Sequence, residues 1–328
     1  ILPVQANPFS IGPVRFLHTS TFDPAKFGIA PGLEQVTLEP LDVAIRLRAA
    51  DWLAIVEVSG YEPERSNEVA DLAVDVALAA LQLVIPLNYG ARASRITARM
   101  LPSYTVALVS SAGNVSPRIS NDQPGLGLGG DAFDLLLTQG AGILASAGER
   151  ISSFIAGRGA LPNLEMAWCN GAFWFHEALA EPLATVAIAK LETAIENLFG
   201  SSSLGESKKR ILRAIRGLHG LKRDDPIAPG SSFKVDSYVD KIVEARSRIL
   251  HGNWSTLTEE LPIGRAEVAS LARSLLMHYT EQLDAFAATP SSVDDVVQFL
   301  DWIVTQHTAQ AATSQPAADA PPTPAPTA

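Results

Sequence analysis

The segment from residue 235 to residue 252 constrains the fold most strongly, because it combines an amphipathic helical pattern with a charge inside the apolar stripe. At about 100° per residue, five aliphatic side chains share one sector of this helix: Val235, Val239, Ile242, Ile249 and Leu250. Arg246 projects from the centre of that sector. Because an unpaired guanidinium in apolar surroundings is costly, Arg246 must meet a carboxylate, a symmetry mate across an oligomer interface or an anionic ligand.

The same helix is expected to end at His251, because Gly252 is the residue type typical of the position just past a helix end. There the imidazole lies beside unsatisfied carbonyl groups, which favour its protonated form. This position suits His251 for proton transfer near neutral pH. Arg248 needs no such explanation, since Glu244 lies four residues before it on the solvated face.

These residues carry a resemblance to a known family. The run R-S-R-I-L-H-G at residues 246–252 resembles the R-S-x-I-x-H-G signature of the ApeA-like branch of the HEPN superfamily, whose all-α domains share an R-x4–6-H motif. Upstream, residues 189–199 resemble that family's first helix, in which an A-x-E-x-L stretch leads into a small-residue loop, here beginning at Gly200. The two pieces occur in the family's order, and the resemblance covers roughly the C-terminal half.

The bare arginine–histidine spacing is not specific, since it occurs twice more in the chain, as Arg213 with His219 and as Arg273 with His278. Only the pair Arg246 and His251 has a serine directly after the arginine, a glycine directly after the histidine, and the third-helix position that the resemblance implies. Residues five apart on a straight helix point about 140° apart and would not converge on one phosphate. Either the helix unwinds at Gly252 or two protomers share a cleft, and the resemblance favours the second.

The resulting hypothesis is a metal-independent endoribonuclease that needs no cofactor. RNA cleavage can use the substrate's own 2′-hydroxyl as nucleophile, so the protein must remove one proton, donate another and stabilise a dianionic phosphorane. His251 takes the acid/base role, Arg246 clamps the phosphate, Ser247 is a supporting donor, and Glu196 pairs with Arg246 before substrate binds. The product would carry a 2′,3′-cyclic phosphate, and DNA, which lacks the 2′-hydroxyl, should not be cleaved. The resemblance implies a homodimer through the helical domain and a defence or toxin-like role.

Three alternatives stay open. In the first, the helical domain is a non-catalytic module that binds RNA or protein, and the Arg246/His251 pair organises a dimer. In the second, Arg246 is buried against Glu192 or Glu196 to make the fold specific, and His251 is only a helix-end cation. In the third, the N-terminal half is itself an enzyme, although it holds one histidine, His18, and no recognisable catalytic constellation.

A basic cluster precedes the Arg246 helix. Seven Lys and Arg residues fall between positions 208 and 223, and Lys209, Arg213 and Arg216 form one helical stripe opposite an apolar one. This stripe is the candidate track for an RNA backbone, or else a solvated basic face. The net charge of −10 argues against a nonspecific nucleic-acid coat protein.

The overall pattern predicts an α+β chain of 328 residues with 47% hydrophobic content, enough for two domains. Residues 1–160 read as a mixed α/β domain that could sense a signal or restrain the second domain, with strands at 52–58 and 104–109, a helix capped by Ser66 and a loop over 110–130. Residues 161–307 read as an all-α HEPN-like helical bundle, and 308–328 as a disordered Ala- and Pro-rich tail. Its later helices are expected at 204–218, 235–251, 265–287 and 293–307.

Several patterns exclude other classes. The apolar stretch 72–87 contains Asp75 and stops at Pro86, so we expect a buried helix and not a membrane span. Cys169 is the only cysteine, which rules out an intrachain disulfide and a thiolate zinc site and fits a reducing, cytoplasmic setting. The G-x-G-x-x-G run at 125–130 is read as a flexible loop, since no buried strand precedes it.

Overall fold

The computed structural model describes residues 2, 7–23, 26, 39, 41–43, 45, 50–96, 103–122, 125–201, 203–254 and 262–314. Two small antiparallel sheets lie in the N-terminal part, and helices dominate the remainder, which confirms the α+β class. Among the described helices, none has both the length and the apolarity to cross a bilayer. The disordered tail was predicted from residue 308; residues 308–314 are helical instead, and the part from residue 315 onward lies outside the described residues.

The first sheet is a three-stranded meander of β1 (Phe9–Ile11), β2 (Val14–His18) and β3 (Trp52–Ile55). Its first turn uses Gly12 in the left-handed region, at φ 55°. A Cβ added to Gly12 would lie 2.4 Å from the carbonyl oxygen of Gly148, so the hairpin and the later helix α4 approach backbone to backbone. The sheet therefore joins the helical core through a contact that two glycines allow.

Helix α1 (Pro63–Val84) is the buried helix expected from the apolar stretch. It begins earlier than predicted, since Glu62 is the N-cap and Pro63 occupies the first turn, where its fixed φ and missing N–H are favourable. The prediction that Ser66 caps this helix is therefore wrong, because Ser66 lies inside the first turn with its hydroxyl donating to the Tyr61 carbonyl. A short helix, α2 (Leu87–Gly90), follows Pro86.

The second sheet is a hairpin of β4 (Ser103–Ser111) and β5 (Asn114–Asp122). Ala112 and Gly113 both have positive φ, at 49° and 80°, as a two-residue turn of the kind favoured in hairpins requires. The prediction of a loop over 110–130 is thus wrong for Asn114–Asp122, which forms an edge strand. Its Pro, Ser and Asn residues are typical of loops, and proline is tolerated in a strand only at an edge. The glycine-rich run does follow a strand, but an exposed antiparallel one, unlike the buried parallel strand of a nucleotide fingerprint.

The remaining chain is helical, and the elements predicted there are present with small shifts at their ends. The last helix continues to Ser314, past the predicted limit at residue 307, because its alanines and glutamines favour helix. The bounds are α3 (Gly130–Gln139), α4 (Ala141–Ala156), α5 (Pro162–Ala180), α6 (Ala184–Phe199), α7 (Leu204–His219), α8 (Val235–Leu250), α9 (Arg265–Ala287) and α10 (Val296–Ser314).

One continuous set of buried side chains runs from β2 and α1 through α5 and α6 to α8, α9 and α10. Helix α5 packs against α1, α4, α6 and α9. Trp168 and Phe175 of α5 are fully buried, and the Trp168 indole donates to the Leu276 carbonyl at 3.0 Å, so the aromatic cluster of α5 serves packing. The boundary predicted near residue 160 coincides with the turn between α4 and α5, but buried surface continues across it, and the division into two domains stays a prediction.

Candidate functional site

The candidate site lies where α8 packs against α6, and its centre is an ion-pair cluster of three side chains. The Arg246 Nε lies 3.0 Å from Glu192 Oε2, and its Nη2 lies 2.7 Å from Glu196 Oε2. Glu192 is fully buried, whereas the Arg246 side chain keeps 25% of its surface exposed. The sequence requirement that Arg246 meet a carboxylate is met by the expected partner, Glu196, and by Glu192 as well.

The two glutamates lie one turn apart on α6, so their charges would repel each other without a cation between them. The Ser201 hydroxyl donates to Glu196 Oε1 at 2.9 Å and fixes that carboxylate in the loop after α6. Glu192 is held less well: the buried Ser207 hydroxyl is close enough to lower its pKa but is not aligned for a good hydrogen bond, and the Arg246 Nε is likewise near enough for an ion pair but not aligned for a hydrogen bond. The cluster is therefore anchored at Glu196 and electrostatically poorly compensated at Glu192.

Burial raises the pKa of Glu192 to about 8, against the opposing effect of Arg246 and with a further increase from Glu196. At neutral pH, Glu192 is therefore largely protonated, and the Arg246 charge is matched mainly by Glu196. A perturbed pKa beside a specific charge partner is typical of functional sites and is also found in structural ion-pair networks.

His251 is the last residue of the helical turn and is exposed. The helix closes with a Schellman motif: Gly252 has φ 69°, its N–H bonds the Ile249 carbonyl at 3.2 Å, and the Asn253 N–H bonds the Arg248 carbonyl at 2.8 Å. The His251 N–H still bonds the Ser247 carbonyl at 3.0 Å, so the helix does not unwind between Arg246 and His251. Within one chain the two side chains consequently leave α8 about 140° apart.

Ser247, the residue after Arg246, is half-buried, and so is Arg248, the next residue along the helix. The Arg248 guanidinium covers the Trp254 ring at 4.3 Å from the centroid and donates to the Asn253 carbonyl at 3.3 Å. The C-terminal turn of α8 is thereby fixed by its own side chains. This rigid end presents His251 to solvent.

The basic stripe on α7 is only partly free. Lys209 and Arg216 are exposed, but Arg213 forms an ion pair with Asp301 of α10. Two neighbouring cations have structural partners too: Lys208 pairs with Asp236 and Asp240 of α8, and Arg210 binds Glu206 and the carbonyls of Phe199 and Gly200. Of the three residues predicted to contact RNA, two therefore remain available at the surface.

The two competing arginine–histidine pairs, Arg213 with His219 and Arg273 with His278, are arranged differently from the Arg246 pair, which the sequence did not predict. Arg273 donates to the Leu83 carbonyl at 2.8 Å, while His219 and His278 meet ring against ring with centroids 5.0 Å apart. Burial, and then His278, lower the pKa of His219 to about 4, so its ring is neutral at pH 7. In both competing pairs the arginine binds another element: Arg213 pairs with Asp301, and Arg273 binds the Leu83 carbonyl. The pair Arg246 and His251 is therefore the stronger candidate.

Two buried polar networks were also missed, because their members are far apart in sequence. In the first, Asp75 receives two hydrogen bonds of 2.7 Å from Arg95, and the nearby His176 bonds Gln82 at 2.9 Å. Burial lowers the pKa of His176 and keeps its ring neutral.

In the second network, Arg150 of α4 reaches Glu165 of α5 and Asp284 of α9. Both networks join elements on the two sides of residue 160 and have the character of structural pairs. In the described ranges, no three His, Cys, Asp or Glu side chains are grouped so as to hold a metal ion.

No family model, no curated protein and no solved structure matches this chain significantly. The arrangement of Arg246, Glu192, Glu196 and His251 is therefore the feature of the molecule that bears on function.

Proposed function

We propose that the chain is a metal-independent endoribonuclease of the HEPN type, acting through Arg246 and His251. The observation that supports this most directly is the state of Arg246: it is held by two carboxyl groups, yet a quarter of its side chain remains exposed. Because Glu192 is largely protonated at neutral pH, a phosphate approaching Arg246 meets one carboxylate and not two. The arginine is thus oriented without being fully neutralised.

In the proposed reaction, the 2′-oxygen attacks phosphorus while the bond from phosphorus to the 5′-oxygen breaks. His251 takes the proton of the 2′-hydroxyl and delivers it to the leaving 5′-oxygen, so that the ring ends as it began, and Arg246 stabilises the dianionic phosphorane, with Ser247 as an additional donor. The product ends are a 2′,3′-cyclic phosphate and a 5′-hydroxyl. DNA has no such nucleophile and is not a substrate.

The helix geometry supports a cleft shared by two copies of the chain. Arg246 and His251 point about 140° apart on a helix that stays wound through His251, so one chain does not direct both onto one phosphate. In a homodimer, His251 of one protomer acts beside Arg246 of the other. Lys209 and Arg216 on the adjoining helix would then contact the RNA backbone outside the cleft.

A second candidate is a non-catalytic HEPN-like module that binds RNA or protein or forms a dimer. The specific observation in its favour is that Arg246 already has both carboxyl partners inside one chain. In this case the cluster fixes the packing of α8 on α6, and His251 lies in an interface without taking part in chemistry.

The test is cleavage of a structured RNA in EDTA by the parent protein and by His251→Ala, with His18→Ala as a matched control on the first sheet. His251 is exposed, so its replacement should leave stability within about 0.5 kcal/mol of the parent. Cleavage by the parent and the control but not by His251→Ala, with 2′,3′-cyclic phosphate ends, is the expected result. Arg246→Lys should reduce cleavage strongly, because lysine cannot reproduce the bidentate geometry.

Cleavage that persists in His251→Ala, or no cleavage by a dimeric parent, would overturn the proposal. A parent that does not cleave, and that loses dimerisation when His251 is replaced by alanine, would support the non-catalytic module instead. Sedimentation of each variant at the assay concentration separates these two results.

A further inference from the structure

A groove of about 550 Å³ lies beside β3 in the first sheet, and every residue from 50 to 56 lines it. Because neighbouring side chains of a strand point to opposite faces, a space that touched only one face would be lined by every second residue. The unbroken run therefore indicates that the groove reaches the backbone edge of the strand. Helix α1 and residues 93–96 form other walls of the groove.

The pairing of the sheet determines which backbone groups point to this edge. In the strand order β1-β2-β3, the third strand pairs with β2 alone. The Thr19 N–H donates to the Asp51 carbonyl at 2.8 Å, which makes these two residues a hydrogen-bonded pair of the antiparallel ladder. Bonded and non-bonded pairs alternate, so Trp52 and Ala54 direct their N–H and C=O groups away from β2. Among the described residues, no backbone hydrogen bond outside the sheet reaches Trp52 or Ala54.

The edge of β3 has none of the sequence features that prevent pairing with another strand. Ala54 is exposed, and β3 contains neither a charged residue nor a proline. Sheet edges usually contain such residues, because unpaired N–H and C=O groups are a template for a further strand. The other sheet follows this rule, since Pro117 and Arg118 lie in β5. The donors and acceptors of Trp52 and Ala54 are therefore open to a strand from outside.

The walls of the groove are mainly apolar. Phe16 of β2 lines it, as do Val74 and Leu78 of α1, and Leu41 and Ile45 contribute further aliphatic surface. A strand added at the edge would turn every second side chain toward these walls and the others toward solvent. The lining therefore fits a segment with aliphatic residues at alternate positions.

The charge of the groove favours a basic partner. Asp71 lines the groove, and 64% of its side chain is exposed. The Arg95 Nη1 lies 2.8 Å from Asp71 Oδ1, but Arg95 also donates two hydrogen bonds of 2.7 Å to Asp75, so one cation serves two carboxylates. Asp51 adds another carboxylate to the lining. In the part of the chain that the structure describes, the groove thus has a net negative charge, which a lysine or arginine would complement.

We propose that the free edge of β3 binds an extended peptide segment of a partner protein by strand addition. The peptide backbone pairs with Trp52 and Ala54, its alternate aliphatic side chains lie against α1, and a basic side chain faces Asp71. A nucleic acid is excluded as the occupant, because its phosphates would be repelled by the carboxylates. The proposal does not depend on Arg246 or His251, so peptide binding and RNA cleavage can fail separately.

The test is calorimetric titration of the full chain with a synthetic peptide that is capped at both ends, alternates valine and threonine, and carries one terminal lysine. The same peptide with glutamate in place of lysine should bind at least about tenfold more weakly. Two further peptides are methylated on alternate backbone nitrogens. One of them loses the donors that face β3 and should bind at least about tenfold more weakly, whereas the other keeps them and should bind like the unmethylated peptide.

Ala54→Pro tests the edge from the side of the protein. It removes an N–H that does not bond β2, at a position where a strand tolerates proline, so the fold should persist while peptide binding falls at least about tenfold. Leu108→Pro is the matched control: Leu108 is paired with Pro117, which has no N–H, so its own N–H faces the free edge of β4. That variant should bind the peptide like the parent.

The proposal is overturned if the lysine peptide does not bind below millimolar concentration, if it binds no more tightly than the glutamate peptide, or if the two methylated peptides bind alike. It also fails if Ala54→Pro, with the circular dichroism of the parent, binds like the parent. A dimeric parent that becomes monomeric on Ala54→Pro, as measured by sedimentation, would assign the edge to a second copy of the chain and would likewise overturn the proposal. The methylated peptides probe the same contact without altering the protein.

Discussion

Glu192 carries the largest electrostatic cost in the candidate site. It is fully buried, its oxygens accept no well-aligned hydrogen bond among the described residues, and Arg246 and Ser207 only partly offset the loss of hydration. A buried carboxyl of this kind lowers the stability of the fold whenever it is ionised. The combination of this buried carboxyl with an accessible arginine is the feature on which the proposed function depends.

The pH dependence of folding should reveal this residue. Its folded pKa, about 8, lies above the ordinary value of 4.5 for a glutamate, so the native state binds more protons than the unfolded state between these limits. The free energy of unfolding should therefore fall as pH rises from about 5 to 8, by at most about 1.4 kcal/mol per pH unit from this group. Glu192→Gln should remove this part of the slope, as measured by urea unfolding at several pH values.

The exposed Glu64→Gln on α1 is the control and should keep the parent's slope. A Glu192→Gln protein with an unchanged slope would show that Glu192 is ionised throughout this range. Arg246 would then face two full charges, and the argument for an accessible cation would be weakened.

At the scale of elements, the contact between the first hairpin and α4 depends on glycine at two positions. A Cβ on Gly148 would lie 2.5 Å from the Gly12 nitrogen, whereas a Cβ on Gly142 of the same helix has nothing within 4 Å. Helix propensity alone favours alanine at both positions. Close packing against the hairpin therefore excludes alanine at Gly148, although helix propensity favours it there; at Gly142 packing allows it.

Gly148→Ala should destabilise the protein by about 2 kcal/mol or more, because the hairpin must move away from α4. Gly142→Ala should be neutral or stabilising by up to about 1 kcal/mol. Thermal unfolding of the two variants checks the difference. Equal melting temperatures would mean that the β1–β2 hairpin does not rest on α4 in solution.

The β4–β5 hairpin presents apolar side chains to solvent. Val106, Leu108, Val115 and Ile119 lie on one face by register, and each is more than half exposed, with Leu108 at 74%. A two-stranded hairpin alone is marginally stable in water, so its order depends on turn geometry and backbone pairing. Burial of these side chains does not contribute to the stability of the single chain.

Leu108→Ser should consequently change the free energy of unfolding by no more than about 0.5 kcal/mol. The matched buried change, Leu81→Ser in α1, should cost several kcal/mol, since Leu81 is fully buried and serine leaves both a cavity and a polar group. Urea unfolding of the two variants provides the measurement. A large loss with Leu108→Ser would indicate that another surface covers the hairpin.

At the scale of the whole molecule, the two sides of residue 160 are joined by more than packing. Arg150 of α4 reaches Asp284 of α9, and Arg273 of α9 donates to the Leu83 carbonyl of α1. Separating the two halves would break both of these contacts and expose the apolar core that continues across residue 160. The two halves therefore stabilise each other.

We expect a single cooperative unfolding transition, with circular dichroism and tryptophan fluorescence following the same curve. Trp168 reports from α5 in the centre of the core, and Trp52 reports from the first sheet. Two separated transitions would instead establish independent domains divided near residue 160. The role of the N-terminal part as a restraint or sensor would then need a mobile connection.

Much of the fold could be predicted from local pattern. The later helices were placed to within a few residues, apart from the end of α10, because their apolar positions recur at helical spacing and glycines follow them, as Gly252 follows α8. The strand Asn114–Asp122 was missed, because its polar residues and proline show no apolar alternation and its order comes from pairing with β4.

The amino-acid pattern alone was enough to predict that Arg246 lies in an apolar stripe and must have a partner, and that His251 ends its helix, because both follow from the 3.6-residue period and one glycine. The packing of α8 on α6 was needed to show that two glutamates share that arginine and that one of them is largely protonated. It was likewise the contacts between helices that showed two basic side chains of α7, Lys208 and Arg213, to be neutralised by α8 and α10. Charge pairing and desolvation depend on which elements meet across the core, and no spacing along the chain encodes that distance.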